Sequence, residues 1–181
     1  MSSSLLNWRS IVPVFILVLA ACTDQPSKNW PRFEGLDAGG YTVSMPVKAD
    51  FQHGRLTLGP DTVDTHVDII ADSAVIYVAA WFKTPTHLTA LPEPAFSDSL
   101  WSMVVAPLSS GQEELSGPDL NVEGASGSGW FLNNKGTRVG LVLHRMADRV
   151  VVLTATAPEG AIGDPERRNM ERFLHSFEPL H

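Results

Sequence analysis

A single cysteine, Cys22, stands among 181 residues, so no internal disulfide can staple this chain and buried apolar surface has to hold its fold. About 160 residues lie from Cys22 onward, and with 44% of the chain hydrophobic they suffice for one domain with a sizeable core. No internal repeat at a solenoid or propeller period occurs, which leaves a single domain as the economical expectation.

Cys22 closes the run Leu19-Ala20-Ala21-Cys22 behind an apolar stretch from Ile11 to Ala21, with Arg9 as a positive leader. That stretch is far shorter than the ~20 residues a spanning helix needs, and Pro13 weakens it further as a span. Ala20 and Ala21 offer a peptidase an uncrowded bond. The segment resembles the lipobox of bacterial lipoproteins. The resemblance implies a diacylglycerol on the Cys22 sulfur, cleavage before Cys22 and an acylated (palmitate-type) new amino terminus; a plain secretory signal with an incidental thiol is the alternative. Several acyl chains anchor a protein stably where one binds only marginally. Lipidation also removes the thiol from metal or nucleophile chemistry. Because Thr23, not an acidic residue, follows Cys22, the expected address is the periplasmic face of the envelope, at the outer membrane in preference to the inner one. The expected organisation is a signal peptide over 1–21, the lipidated Cys22 and a tether over 22–40, and one globular domain over 41–181. Trp30 and Phe33 stand out in the tether, as aromatics that either dip into lipid headgroups or dock on the domain.

Removing residues 1–21 takes away only Arg9 among the charges and leaves 12 basic against 20 acidic residues. Nucleic acid is therefore an unsuitable partner. From Asp50 to Glu123 eleven carboxylates face only Arg55 and Lys83, so one side of the domain is expected to be acidic.

The alternating segment Tyr41-Thr42-Val43-Ser44-Met45-Pro46 reads as a strand, and Arg55–Leu58 as a short one. Residues 62–70 alternate Val63, Thr65, Val67 and Ile69 with Asp64, His66 and Asp68, a half-buried strand. A turn at 71–73 leads into 74–82, apolar throughout and expected to be buried on both faces. Phe96, Leu100, Met103 and Val104 predict a helix over 94–105 that Pro107 ends. Strands are expected over 120–125 and 130–132 around a Gly/Ser run, then a hairpin of 137–146 with 149–157. Asp164 as N-cap, Pro165 and Glu166 open a final helix with the stripe Met170, Phe173, Leu174 and Phe177, which Pro179 closes.

These elements predict an α+β domain, an antiparallel sheet covered by helices. The opening strand at 41–46, the mid-chain helix, the bend at Gly124 and Gly127, the late hairpin and the closing Phe173-Leu174-His175-Ser176-Phe177 segment resemble PsbP-like lipoproteins. The resemblance implies a scaffold that binds or assists other proteins at membranes, without catalysis, and it places no family active site on named residues.

Asp64, His66 and Asp68 are the candidate metal ligands, since alternate strand residues share a face, with Asp61 and Asp72 nearby. Their ~6–7 Å spacing along the strand is too wide for one ion unless another element converges on it. Ser126 and Ser128 in Gly124-Ala125-Ser126-Gly127-Ser128-Gly129 do not form a nucleophile elbow, because a strand and not a helix follows. No Lys-Ser/Thr pair makes that run a phosphate loop. His144 and His175 read as packing or surface residues, and His53, His87 and His181 as loop or terminal ones. The long loops at 84–93 and 108–118, the second carrying Glu113 and Glu114, are candidate partner surfaces. No cofactor is implied. The expectation is a membrane-anchored envelope lipoprotein that acts as a non-catalytic binding or assembly accessory to another envelope protein. Small-ligand or metal binding is the first alternative, and a noncanonical hydrolase the second.

Overall fold

The computed structural model describes residues 30–35, 37, 39–108, 113–114, 120–132 and 135–180. The expected signal peptide over 1–21, Cys22 and most of the 108–118 loop lie outside the described residues, as does His181.

The order is β1 (Arg32–Glu34), β2 (Tyr41–Ser44), β3 (Asp50–Leu58), β4 (Asp61–Asp72), β5 (Val75–Lys83), α1 (Ala95–Leu108), β6 (Glu113–Glu114), β7 (Gly127–Leu132), β8 (Thr137–Arg145), β9 (Arg149–Pro158), α2 (Asp164–Leu174) and β10 (Glu178–Pro179). Seven strands make an antiparallel sheet in the order β3-β4-β5-β9-β8-β7-β6, and β1-β2-β10 make a second, small antiparallel sheet. The class is α+β.

The period-two pattern gives the large sheet two apolar faces. On one, Tyr77, Ala79, Val151, Leu153 and Val142 pack with Tyr41 and Val43 of the small sheet, with Met45 just past it, and with Met170, Phe173 and Leu174 of α2. On the other, Phe82, Val150, Val152, Leu141 and Leu143 pack with Phe96, Leu100 and Val104 of α1. β5 is apolar throughout because it lies centrally and serves both layers.

Several boundaries differ from expectation. Folded chain begins ahead of Tyr41: Arg32–Glu34 pairs with β2, and Trp30 is buried edge-on against Tyr77 at 5.4 Å. The tether expected over 22–40 is therefore shorter at its far end, because a buried Trp ring and a ladder outweigh the Pro and Gly content that suggested a linker. β3 is a full strand from Asp50, its exposed edge residues hiding the apolar alternation that strand reading depends on. Residues 120–125 form no strand, although Leu120 and Val122 are buried, and the glycines at 127 and 129 lie inside β7. A Cβ at Gly127 would lie 2.8 Å from the Trp101 ring, so close packing explains that glycine. Pro107 sits in the last turn of α1, one residue inside its end. In α2, Gly163 takes the N-cap position and Glu166 accepts a hydrogen bond from its N–H at 3.0 Å, while Asp164 is already helical. Pro179 lies in β10, beyond the helix end at Leu174.

Candidate metal centre

A Gly59-Pro60 turn joins β3 to β4, with Gly59 at φ 60, and sets a register in which His53 stands directly opposite His66. Directly opposed side chains lie on the same face with Cβ atoms ~4.5–5.5 Å apart, closer than residues two apart on one strand. The next residue across the sheet from His66 is Trp81 of β5, so His53, His66 and Trp81 form one transverse row.

The third member arrives from outside the large sheet. The turn between β1 and β2 carries Asp37 at φ 52, a left-handed conformation that aspartate tolerates better than most residues. Its Oδ2 lies 3.2 Å from Nδ1 of His66 and 3.4 Å from Nε2 of His53. One donor atom from each of Asp37, His53 and His66 lies within 4.8 Å of the others.

The turn is held on both sides. The Gly35 N–H donates to the Tyr41 carbonyl at 2.9 Å, the Gly39 N–H to the Gly35 carbonyl at 3.2 Å, and the Leu180 N–H to the Gly40 carbonyl at 2.8 Å. Gly35 and Gly39 press on the Tyr41 ring so closely that a Cβ would fall 2.5 and 2.8 Å from it. Burial raises the Tyr41 phenol above its ordinary value, with the Asp68 charge adding to the rise, so the ring stays neutral beneath the turn.

The histidines are also oriented. The His66 imidazole stacks on Trp81 at 4.0 Å with 3° between planes, and the Arg149 guanidinium lies 4.8 Å from the Trp81 ring centroid. His53 meets Phe51 edge-on at 4.3 Å. His66 is mostly shielded, with 19% of its side chain exposed, whereas His53 and Asp37 are 60% and 52% exposed, so the cluster opens to solvent on one side.

Of the three ligands expected on β4, only His66 belongs to this group. Asp64 accepts a hydrogen bond from Arg55 across the β3–β4 pair at 3.0 Å, and Asp68 is buried. The physical reason is spacing: positions along one strand stand too far apart, while a cross-strand neighbour and an overhanging turn close on the same point. His53, expected in a loop, lies in β3; the turn at Gly59-Pro60 pairs residues whose numbers add to a constant and so already matched it to His66. Nothing local in the sequence marks Asp37.

Two imidazole nitrogens and one carboxylate oxygen suit zinc, copper, iron or nickel better than the oxygen-only shells of calcium and magnesium. Bonds of ~2.0–2.1 Å at a tetrahedral angle place donor atoms roughly 3.3–3.4 Å apart. Two of the three edges stand at 3.2 and 3.4 Å.

The other candidates are differently placed. His87 donates to Asp61 Oδ2 through Nδ1 at 2.8 Å, and this hydrogen bond holds the Asp61 carboxyl below its ordinary range. Nε2 of His87 is buried without a hydrogen-bond partner among the described residues, and a Cβ at Gly59 would come 3.4 Å from it. The Ser126 hydroxyl accepts from the Arg145 N–H at 3.2 Å, and the Ser128 hydroxyl donates to the Leu120 carbonyl. These bonds tie the Gly/Ser run into the β7 and β8 edge. His144 is buried and stacked on Phe177 at 3.8 Å, and burial pushes its pKa down to about 4 against a hydrogen bond at the Gly124 backbone. Between α1 and the sheet, Leu56, Leu58, Phe82, Met103 and Val152 line a small recess whose lining is apolar apart from Thr65. Among the described residues, no helix is long and apolar enough to cross a membrane.

No known family and no curated protein matches the chain.

Proposed function

We propose that this is a lipid-anchored binding protein of a bacterial envelope, and that its binding chemistry is the capture of a metal ion by Asp37, His53 and His66. The observation that supports this is the convergence of three metal-binding side chains from β3, β4 and the β1–β2 turn on one solvent-facing point. Metal binding, the first alternative to an accessory role for a protein partner, becomes the leading reading because cross-strand pairing supplies the convergence that β4 lacks by itself. The lipobox-like run ending at Cys22 supports the membrane address, and the PsbP-like pattern of elements supports a binding scaffold without catalysis.

Calorimetric titration tests the reading. Zinc is expected to bind once per chain, calcium to give no heat at the same concentration, and His53→Ala or His66→Ala to abolish the zinc signal while thermal unfolding stays within a few degrees of the parent. Absence of zinc heat at millimolar metal contradicts it.

A further inference from the structure

We propose that the Asp37–His53–His66 centre holds a zinc-class divalent cation through three protein donors only, and presents the remaining coordination position outward to an imidazole nitrogen from another molecule. The proposal rests on the metal-binding reading and adds to it a coordination number and a partner chemistry.

Three arguments carry it. Two donors stand side by side on the sheet face and the third comes from the overhanging β1–β2 turn, and His53 and Asp37 are more than half exposed, so the group borders solvent. Neither of the carboxylates closest to His66 along β4 joins the group. Asp64 is taken by Arg55 at 3.0 Å, and Asp68 is buried. Among the described residues no fourth His, Cys, Asp or Glu joins the group. Closed structural zinc sites use four protein ligands, whereas three leave a position for water or an external donor.

The kind of donor follows from charge. Asp37 neutralises half of a divalent cation's charge, and the two histidines bind it as neutral donors. Imidazole is a neutral nitrogen donor that suits a borderline cation of this class. His53, at 60% side-chain exposure, and Asp37, at 52%, form an open rim that a histidine on a partner's surface can reach.

Cobalt(II) reports both the site and its free position, because its visible bands respond to coordination number and donor type. The full-length protein in detergent is titrated with cobalt, then with imidazole. One cobalt per chain is expected, with bands that change saturably as imidazole is added. Asp37→Asn, which keeps a residue tolerant of the left-handed turn, and His53→Ala should each weaken cobalt by at least the tenfold that losing an outer-shell partner already causes. Bands that imidazole leaves unmoved, or one cobalt shared by two chains, overturn the open position while metal binding stands. Cobalt binding unaffected by either variant, or absent altogether, overturns the metal-binding reading itself. Displacement of cobalt by equimolar calcium or magnesium overturns the assignment of cation class.

Discussion

A methyl group at Gly35 would press into the face of Tyr41, a ring with no exposed surface and therefore no direction in which to yield. Gly35→Ala is expected to lose about 1–3 kcal/mol in urea unfolding and to weaken zinc binding with it, because the same turn carries Asp37. Unchanged stability would mean that the turn does not rest on Tyr41. His144 sets a separate residue-scale expectation. Its pKa is about 4 when folded against an ordinary 6.5, so the unfolded chain takes up the proton first as pH falls. Stability is complete above about pH 6.5 and declines toward about pH 4, by roughly 3 kcal/mol. His144→Asn, which can still donate toward Gly124, should flatten that slope; parallel profiles for parent and variant would refute burial of a neutral imidazole. Neither effect is legible in the sequence, since the contacts of Gly35 with Tyr41 and of His144 with Phe177 are settled only by tertiary packing.

At the scale of elements, the β1–β2 hairpin separates what sequence reading can reach from what it cannot. β4, β5, β8 and β9 were legible because their apolar residues alternate or run together, and α2 because its Pro165, Glu166 and apolar stripe agree. β1 offers only three residues and two charges, so its pairing with β2 carries no periodic signal. β3 is an edge strand whose exposed positions mask its period, and this is why His53 looked unplaced. The docking of the hairpin is testable through Trp30. Trp30→Ala is expected to destabilise the domain by about 3 kcal/mol, as removal of a buried aromatic does. A loss below ~0.5 kcal/mol, typical of a surface position, would return residues 30–34 to the tether.

On the scale of the whole molecule, two covered sheet faces leave the domain independent of the proposed lipid anchor. The α1 layer closes one face, and α2 with the small sheet closes the other, so the fold needs no lipid contact to complete its core. Cys22→Ser should accordingly move the protein from the membrane fraction to the soluble one with an unchanged unfolding midpoint. Retention at the membrane would argue against lipidation as the anchor. The α+β class was readable from the order of strands and helices, whereas of the metal centre only His66 was readable, from its strand face: His53 reads as a loop residue until β3 is paired with β4, and Asp37 reaches the site from the β1–β2 turn. Metal capture requires these three residues to share one ion. Anomalous diffraction at the zinc edge, from crystals grown with one equivalent of zinc, tests that most directly. A single strong peak within bonding distance of Asp37, His53 and His66 is the predicted result; zinc bound elsewhere, or no peak between these side chains, would contradict it.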